Sequence, residues 1–230
     1  MPTTLKIFTR VLPAAAVAVG LVFASPANAT VSKTKTKTKT TKTVTAKIAL
    51  GDKRPAKAKA KAKAAKAKKK VTAKATVACS NTTITPDAAN LEVVRVTLLC
   101  LHNQIRANAG LPLLKDNAKL RKAATSHSND MVAEGYFDHT SLDGDTFVDR
   151  ILDAGYAKRN DGWTIGENLA WGTGELSTPQ AIMNAWMNSA GHKANILKKA
   201  YKEVGISVRL GVPSDAGVGA TVTADFGAKV

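Results

Sequence analysis

Cysteine is scarce in this sequence. There are two residues, Cys79 and Cys100, in a chain of 230. Their spacing is wrong for a CxxC zinc knuckle. No stretch after the first thirty residues is apolar enough for long enough to span a bilayer. No G-x-S-x-G turn is present, which removes the usual strand-to-helix elbow of a serine nucleophile. No LPxTG-like sorting sequence stands near the last residues, "DFGAKV". Between residues 30 and 76 there is no aromatic residue, and almost no apolar side chain larger than alanine. That segment cannot bury enough surface to offset the entropy of ordering it, so it is expected to be disordered.

Residues 1–29 read as a secretory signal. Lys6 and Arg10 open it, Val11–Ala24 is apolar and interrupted by Pro13, and Ala27-Asn28-Ala29 is an A-x-A cleavage site. At about 14 residues, the apolar run is shorter than the roughly 20 a membrane helix needs. No transmembrane segment is therefore expected in the mature chain. The 30–76 segment holds sixteen lysines, one arginine and one aspartate, whereas residues 77–230 hold fifteen basic and sixteen acidic residues. The basic excess thus lies in a Lys/Ala/Thr-rich linker, and the rest is near neutral with no basic face in its totals. In an exported chain an even cysteine count points to one disulfide, Cys79–Cys100, worth roughly 3 kcal/mol in the chain-entropy model.

The remaining residues, 77–230, are predicted to fold as one α+β domain. Thr85-Pro86 reads as a helix start and Gly110 as the stop, with Leu91, Val94, Leu98, Leu101 and Ile105 on one face. A second helix is expected over about Asn117–Glu134, with His127 on its apolar side as a core histidine. A short third is expected around Phe147–Ala154. A fourth should open at Thr178-Pro179, carry Ile182, Trp186 and Ser189, and break at Ala190-Gly191. A strand near Gly162–Ile165 and a terminal hairpin, "EVGISVRLG" with "GVGATVTADFGA", complete the pattern. His102 and Arg106 read as structural hydrogen-bonding groups, and Asn168 and Asn195 as groups that satisfy loop backbone.

Three polar points stand in apolar company and read as loops or element ends: His139 in "YFDHTS", Glu167 in "IGENLAWG", and Ser189 with His192 in "WMNSAGHKANIL". Two histidines and a carboxylate can do acid/base work or hold a divalent ion. Ser189 as a nucleophile would need an oriented base and an oxyanion hole.

The runs "HNQIR" (102–106), "FDHTS" (137–141), "GENLA" (166–170), "WMNSAGHKANIL" (186–197) and "DFG" (225–227), in that order, resemble the bacterial branch of the CAP superfamily. That superfamily comprises the cysteine-rich secretory, antigen-5 and pathogenesis-related proteins, and its domain is also called SCP. The resemblance implies an α-β-α sandwich with a surface cleft lined at positions His139 and Glu167, with His192 and Ser189 placed at the same cleft. The eukaryotic pattern adds a histidine in a "GHYTQ" strand and a glutamate on the fourth helix. Neither is present here.

The favoured reading is therefore a secreted, monomeric, non-enzymatic CAP module that binds a ligand or partner. It would be held at the cell wall by anionic polymers that pair with residues 33–74. It requires no cofactor. Two alternatives accompany it: a metal-assisted hydrolase of wall or extracellular polymers, with zinc on His139 and His192, and a polyanion or nucleic-acid binder acting through the tail.

Overall fold

The structure, a computed structural model, describes residues 27–31 and 77–229. The expected signal sequence and Lys-rich tail lie outside the described residues, apart from the short strand β1, Ala27–Val31. That strand spans the Ala29–Thr30 bond at which cleavage is expected.

Helix α1, Leu91–Asn108, starts later than its Thr85-Pro86 signal. Asn90 is the N-cap, and the residues before it close a turn of their own. Asp87 N–H donates to Asn90 Oδ1 at 2.9 Å, and Asn90 Nδ2 donates to the Thr85 carbonyl at 3.0 Å. This local side-chain bonding competes with helical hydrogen bonds. Helix α2, Ala118–Glu134, follows a two-residue strand, β2, Lys115–Asp116. Asn117 caps α2 by accepting from Lys119 and Leu120 N–H, and Gly135 ends it at φ +69°. Helix α3, Phe147–Asp153, carries a Thr146/Asp149 capping box. Helix α4, Pro179–Asn188, has the expected Thr178 cap and N1 proline.

Two expectations are corrected here. The predicted short strand is β3, Trp163–Thr173, eleven residues long, so Glu167 sits mid-strand and not on a loop. The break after α4 falls at Ser189, whose backbone is extended, and Ala190-Gly191 open a new helix, α5, Ala190–Leu197. His192 therefore rides on a helix. A glycine in a first helical turn is tolerated, because the N–H groups there have no intrahelical partner to lose.

Strands β4, Glu203–Leu210, and β5, Gly219–Lys229, form the expected hairpin. The sheet runs β1-β3-β5-β4-β2, antiparallel except for the β2–β4 pair. Helices α1, α4 and α5 cover one face and α2 and α3 the other, giving the α-β-α sandwich. One core joins Val94, Leu98 and Trp186 to Val204, Ile206, Val222 and Phe226. A second joins Leu120, Ile151 and Tyr156 to Trp163 and Ile165. Gly205 lets α2 sit directly on β4, since a Cβ there would overlap the Leu120–Arg121 backbone. Cys79 and Cys100 form the expected disulfide.

Candidate functional site

Glu167 is 1% exposed and lies at the centre of the candidate site. Position 167 faces α2 and α3 because side chains alternate along β3. Its Oε1 meets His139 Nδ1 at 2.6 Å, and its Oε2 accepts from Arg150 Nη2 at 2.9 Å. Arg150, on α3, also donates to the His139 carbonyl (2.9 Å), the Asp145 carbonyl (2.9 Å) and Ser141 Oγ (3.1 Å). One guanidinium thus ties the 139–145 loop to the sheet. Burial alone would push the Glu167 carboxyl up. The His139 hydrogen bond and the Arg150 charge outweigh it and hold the group below the usual carboxylate range.

Directly opposite Glu167 in the β3–β5 register is Asp225, 1% exposed, whose carboxyl has no hydrogen-bond partner among the described residues other than the Glu167 carboxylate it faces. Burial, and then the neighbouring Glu167 charge, push its carboxyl well above the ordinary range. His127 closes the same side. It meets the Asp138 carbonyl through Nε2 at 2.8 Å, and burial lowers its pKa. Ser128 donates to Thr223 Oγ1 at 2.8 Å. A groove of about 400 Å³ opens beside this cluster, sharing His127, Ser141 and Arg150 with it and rimmed by Asp130, Asp143 and Asp145.

The structure brings His139 and Glu167 into direct contact. His192 is 5% exposed, and its Nδ1 has no hydrogen-bond partner among the described residues. Its carbonyl accepts from Asn168 Nδ2 at 3.1 Å, and Asn195 Nδ2 donates to the Glu167 carbonyl at 3.1 Å. No hydrogen bond among the described residues joins the His192 ring to His139 or Glu167. Burial first, and the His139 charge second, lower the His192 pKa to about 4. Ser189 is 5% exposed and joins α4 to α5, its N–H donating to the Trp186 carbonyl. No base is hydrogen-bonded to its hydroxyl among the described residues. Glu167 Oε1 meets the His139 imidazole and Oε2 the Arg150 guanidinium, so to serve as a third metal ligand beside His139 and His192 Glu167 would first have to give up one of these partners. Among the described residues no group of three His, Cys, Asp or Glu stands in metal-holding proximity.

Sequence reading missed Arg150 and Asp225. Arg150 stands in a plain helical run, "FVDRILD", with nothing to mark it. Asp225 did carry a signal, as the one acidic residue in an otherwise uncharged strand stretch, "GATVTADFGA".

Residues 99–223 match the model of the Cysteine-rich secretory protein family, CAP. The chain belongs to the CAP family. Its CAP domain holds His139, Arg150, Glu167, Ser189 and His192 inside the matched span, with Asp225 two residues beyond. Bacillus subtilis YkwD, an uncharacterized protein, is 34% identical over 134 residues, 58% of this chain and 49% of its own length. Bacillus subtilis YlbC, an uncharacterized membrane protein, is 33% identical over 111 residues, 48% of this chain and 30% of its own. The chain thus spans half or less of these curated relatives. Among solved structures, an extracellular SCP-domain protein from Bacillus anthracis matches at 26% identity and TM-score 0.48, over 62% of this chain and 44% of that one. An outer surface protein from Borrelia burgdorferi matches at 20% identity and TM-score 0.48, over 64% and 99%. No helix among the described residues is long and apolar enough to cross a membrane.

Proposed function

We propose that the protein is an exported CAP module that binds a small polar ligand or a partner segment at the groove beside Glu167 and catalyses no reaction there. In this reading, residues 33–74 hold the module at the cell surface by pairing with anionic wall polymers. One observation carries the non-catalytic part: the Glu167 carboxylate is engaged on both oxygens, by His139 and by Arg150. A general base must lie within hydrogen-bond reach of the proton it takes, and Glu167 is held below the surface, 1% exposed. A carboxylate clamped by a cation and an imidazole instead fixes the shape of the wall around it. The lack of a base hydrogen-bonded to the Ser189 hydroxyl among the described residues supports the same reading, because a serine nucleophile needs such a base. The Cys79–Cys100 disulfide supports export, because such bonds persist in oxidising compartments.

The test is to incubate the full chain with isolated cell walls, with and without added zinc. Protein bound to the sediment and soluble wall fragments are both measured. The expected result is binding that weakens with salt, and no fragment release in either condition. Zinc-dependent release of soluble fragments would replace this reading with the metal-assisted hydrolase.

A further inference from the structure

A net charge near zero over residues 77–229 conceals a separation of charge. Asp130, Asp143 and Asp145 rim the groove beside Glu167. A different groove, of about 420 Å³, is lined by Lys115, Lys199, Lys202 and Lys229 against a single acid, Glu203. All four lysines are exposed. None is ion-paired among the described residues. Glu203 already accepts from Tyr156 Oη at 2.7 Å and Asn117 Nδ2 at 2.8 Å.

The framework holding these lysines is rigid. Lys115 N–H donates to the Lys202 carbonyl, and Lys202 N–H to the Gly227 carbonyl, both at 3.0 Å. Beneath them lies Arg106, fully buried. It donates to the carbonyls of Pro112 (2.8 Å), Ile196 (2.8 Å), Lys198 (3.0 Å) and Tyr201 (3.1 Å). All four partners are carbonyl dipoles. Among the described residues no carboxylate is hydrogen-bonded to this guanidinium, so its charge adds to the positive potential of the groove above. A buried cation is screened far less than an exposed one.

We propose that this groove is a second anion-binding surface, on the folded domain and independent of the tail, that takes a flexible polymer carrying a phosphate on each repeat. Ammonium groups bind phosphates as point charges without demanding a fixed fork geometry. Four of them around an open groove suit successive phosphates along a chain better than one enclosed ion. Leu113, 50% exposed on the groove wall, offers apolar contact to the linking atoms between phosphates.

The test uses the full chain with its lysines between 33 and 74 replaced by glutamine, so that the tail is silent. Inorganic polyphosphate is the probe, and anionic phospholipid vesicles are the comparison arm. The tail-neutralised chain should bind polyphosphate, with affinity falling as a power of salt. Lys115→Gln, Lys199→Gln, Lys202→Gln and Lys229→Gln together should cut the slope of log affinity against log salt by about 2–3, since each phosphate contact on a flexible strand contributes about 0.7. Lys→Arg at the same four positions should retain binding. If the fourfold glutamine variant melts early, Lys199→Gln and Lys202→Gln alone should each remove about 0.7 from the slope. No binding by the tail-neutralised chain, or a slope unchanged by the substitutions, would overturn the proposal. Binding to vesicles but not to polyphosphate would also overturn it, in favour of a lipid surface. Failure of the native chain to bind walls would instead count against tail retention, so the two readings fail separately.

Discussion

Strand β5 has two faces, and both are buried. Toward α1 and α4 it turns Val222, Ala224 and Phe226. Toward α2 it turns Thr221, Thr223 and Asp225, each at most 1% exposed. The first face is held by dispersion and removal of apolar surface from water. The second is held by specific partners: Ser128 on Thr223, the Gly211 carbonyl on Thr221, and Arg150 with His139 on the neighbouring Glu167. An apolar layer tolerates any filling of the right volume, whereas a buried polar layer must satisfy each atom by name. That difference explains why the candidate site sits on the second face.

Paired substitutions would break the two faces in different ways. On the apolar face, Phe226→Ala removes a ring stacked on Tyr201 at 5.4 Å between centroids, and should cost about 3–5 kcal/mol. On the polar face, Arg150→Met should cost about 3–5 kcal/mol, because it strands the Glu167 charge in the interior. The distinguishing measurement is the double variant. Glu167→Gln added to Arg150→Met should restore part of the loss in chemical unfolding, whereas Glu167→Gln added to Phe226→Ala should restore nothing. Equal behaviour in both backgrounds would mean that the polar face is held by packing alone.

Much of this arrangement was legible in the sequence, for reasons that are local. The cap of α4 involves a neighbour three residues on, so Thr178-Pro179 could be read directly, and the span of α2 followed from its local helical step. The start of α1 was not, because the turn at 85–90 satisfies its own side chains ahead of the helix. The length of β3 was hidden by "GEN", residue types that strands disfavour. Their place there rests on pairing with β5, and on Arg150 seventeen residues away, neither of which a local window contains. The terminal alternation of β5 was read correctly as a strand. Alternation ordinarily marks one solvated face, and nothing local could reveal that α2 covers it. Segregation of charge on the folded domain was lost for a related reason: a total is blind to position.

The disulfide should matter to both faces alike. Cys79 and Cys100 tie the segment before α1 to that helix. Reduction should cost roughly 3 kcal/mol, through the freedom it returns to the unfolded chain. Reducing both the Phe226→Ala and Arg150→Met variants should lower their stability by the same amount. A face-dependent loss would place the cross-link's effect in native contacts.

Acid should act more gently. Burial holds His102, on α1, and His192, on α5, near pKa 4. Their folded pKa lies below the unfolded value of about 6.5. The stability they contribute as neutral rings is therefore complete above pH ~6.5 and is lost as pH falls toward 4. At pH 5 the loss is about 2 kcal/mol for the fully buried His102, and smaller for His192, which keeps some contact with solvent. Melting curves between pH 7 and 5 should show this decline, and His102→Phe should remove the share belonging to His102. A decline unaltered by that substitution would assign the acid sensitivity elsewhere.

The smallest effect, and the sharpest on the polar face, is expected at Asp225. Its folded pKa is raised by burial and by Glu167 opposite, so its sign is reversed. The neutral acid suits the fold, and its contribution is present below the unfolded pKa of about 3.9 and lost as pH rises through the folded value. Asp225→Asn keeps the shape and removes the titration. The neutral Asp225 carboxyl hydrogen-bonds Glu167, and the amide replaces that O–H donor with N–H groups facing the same carboxylate. The variant should be within about 1 kcal/mol of the parent at pH 4 and more stable than it at pH 8, with a flatter melting-temperature profile between. Each pH is measured with Glu167→Gln as a second background, where the Glu167 charge is gone and the gain at pH 8 should shrink. A parent chain that is the more stable of the two at pH 8 would show that the ionised Asp225 is the form the fold accommodates.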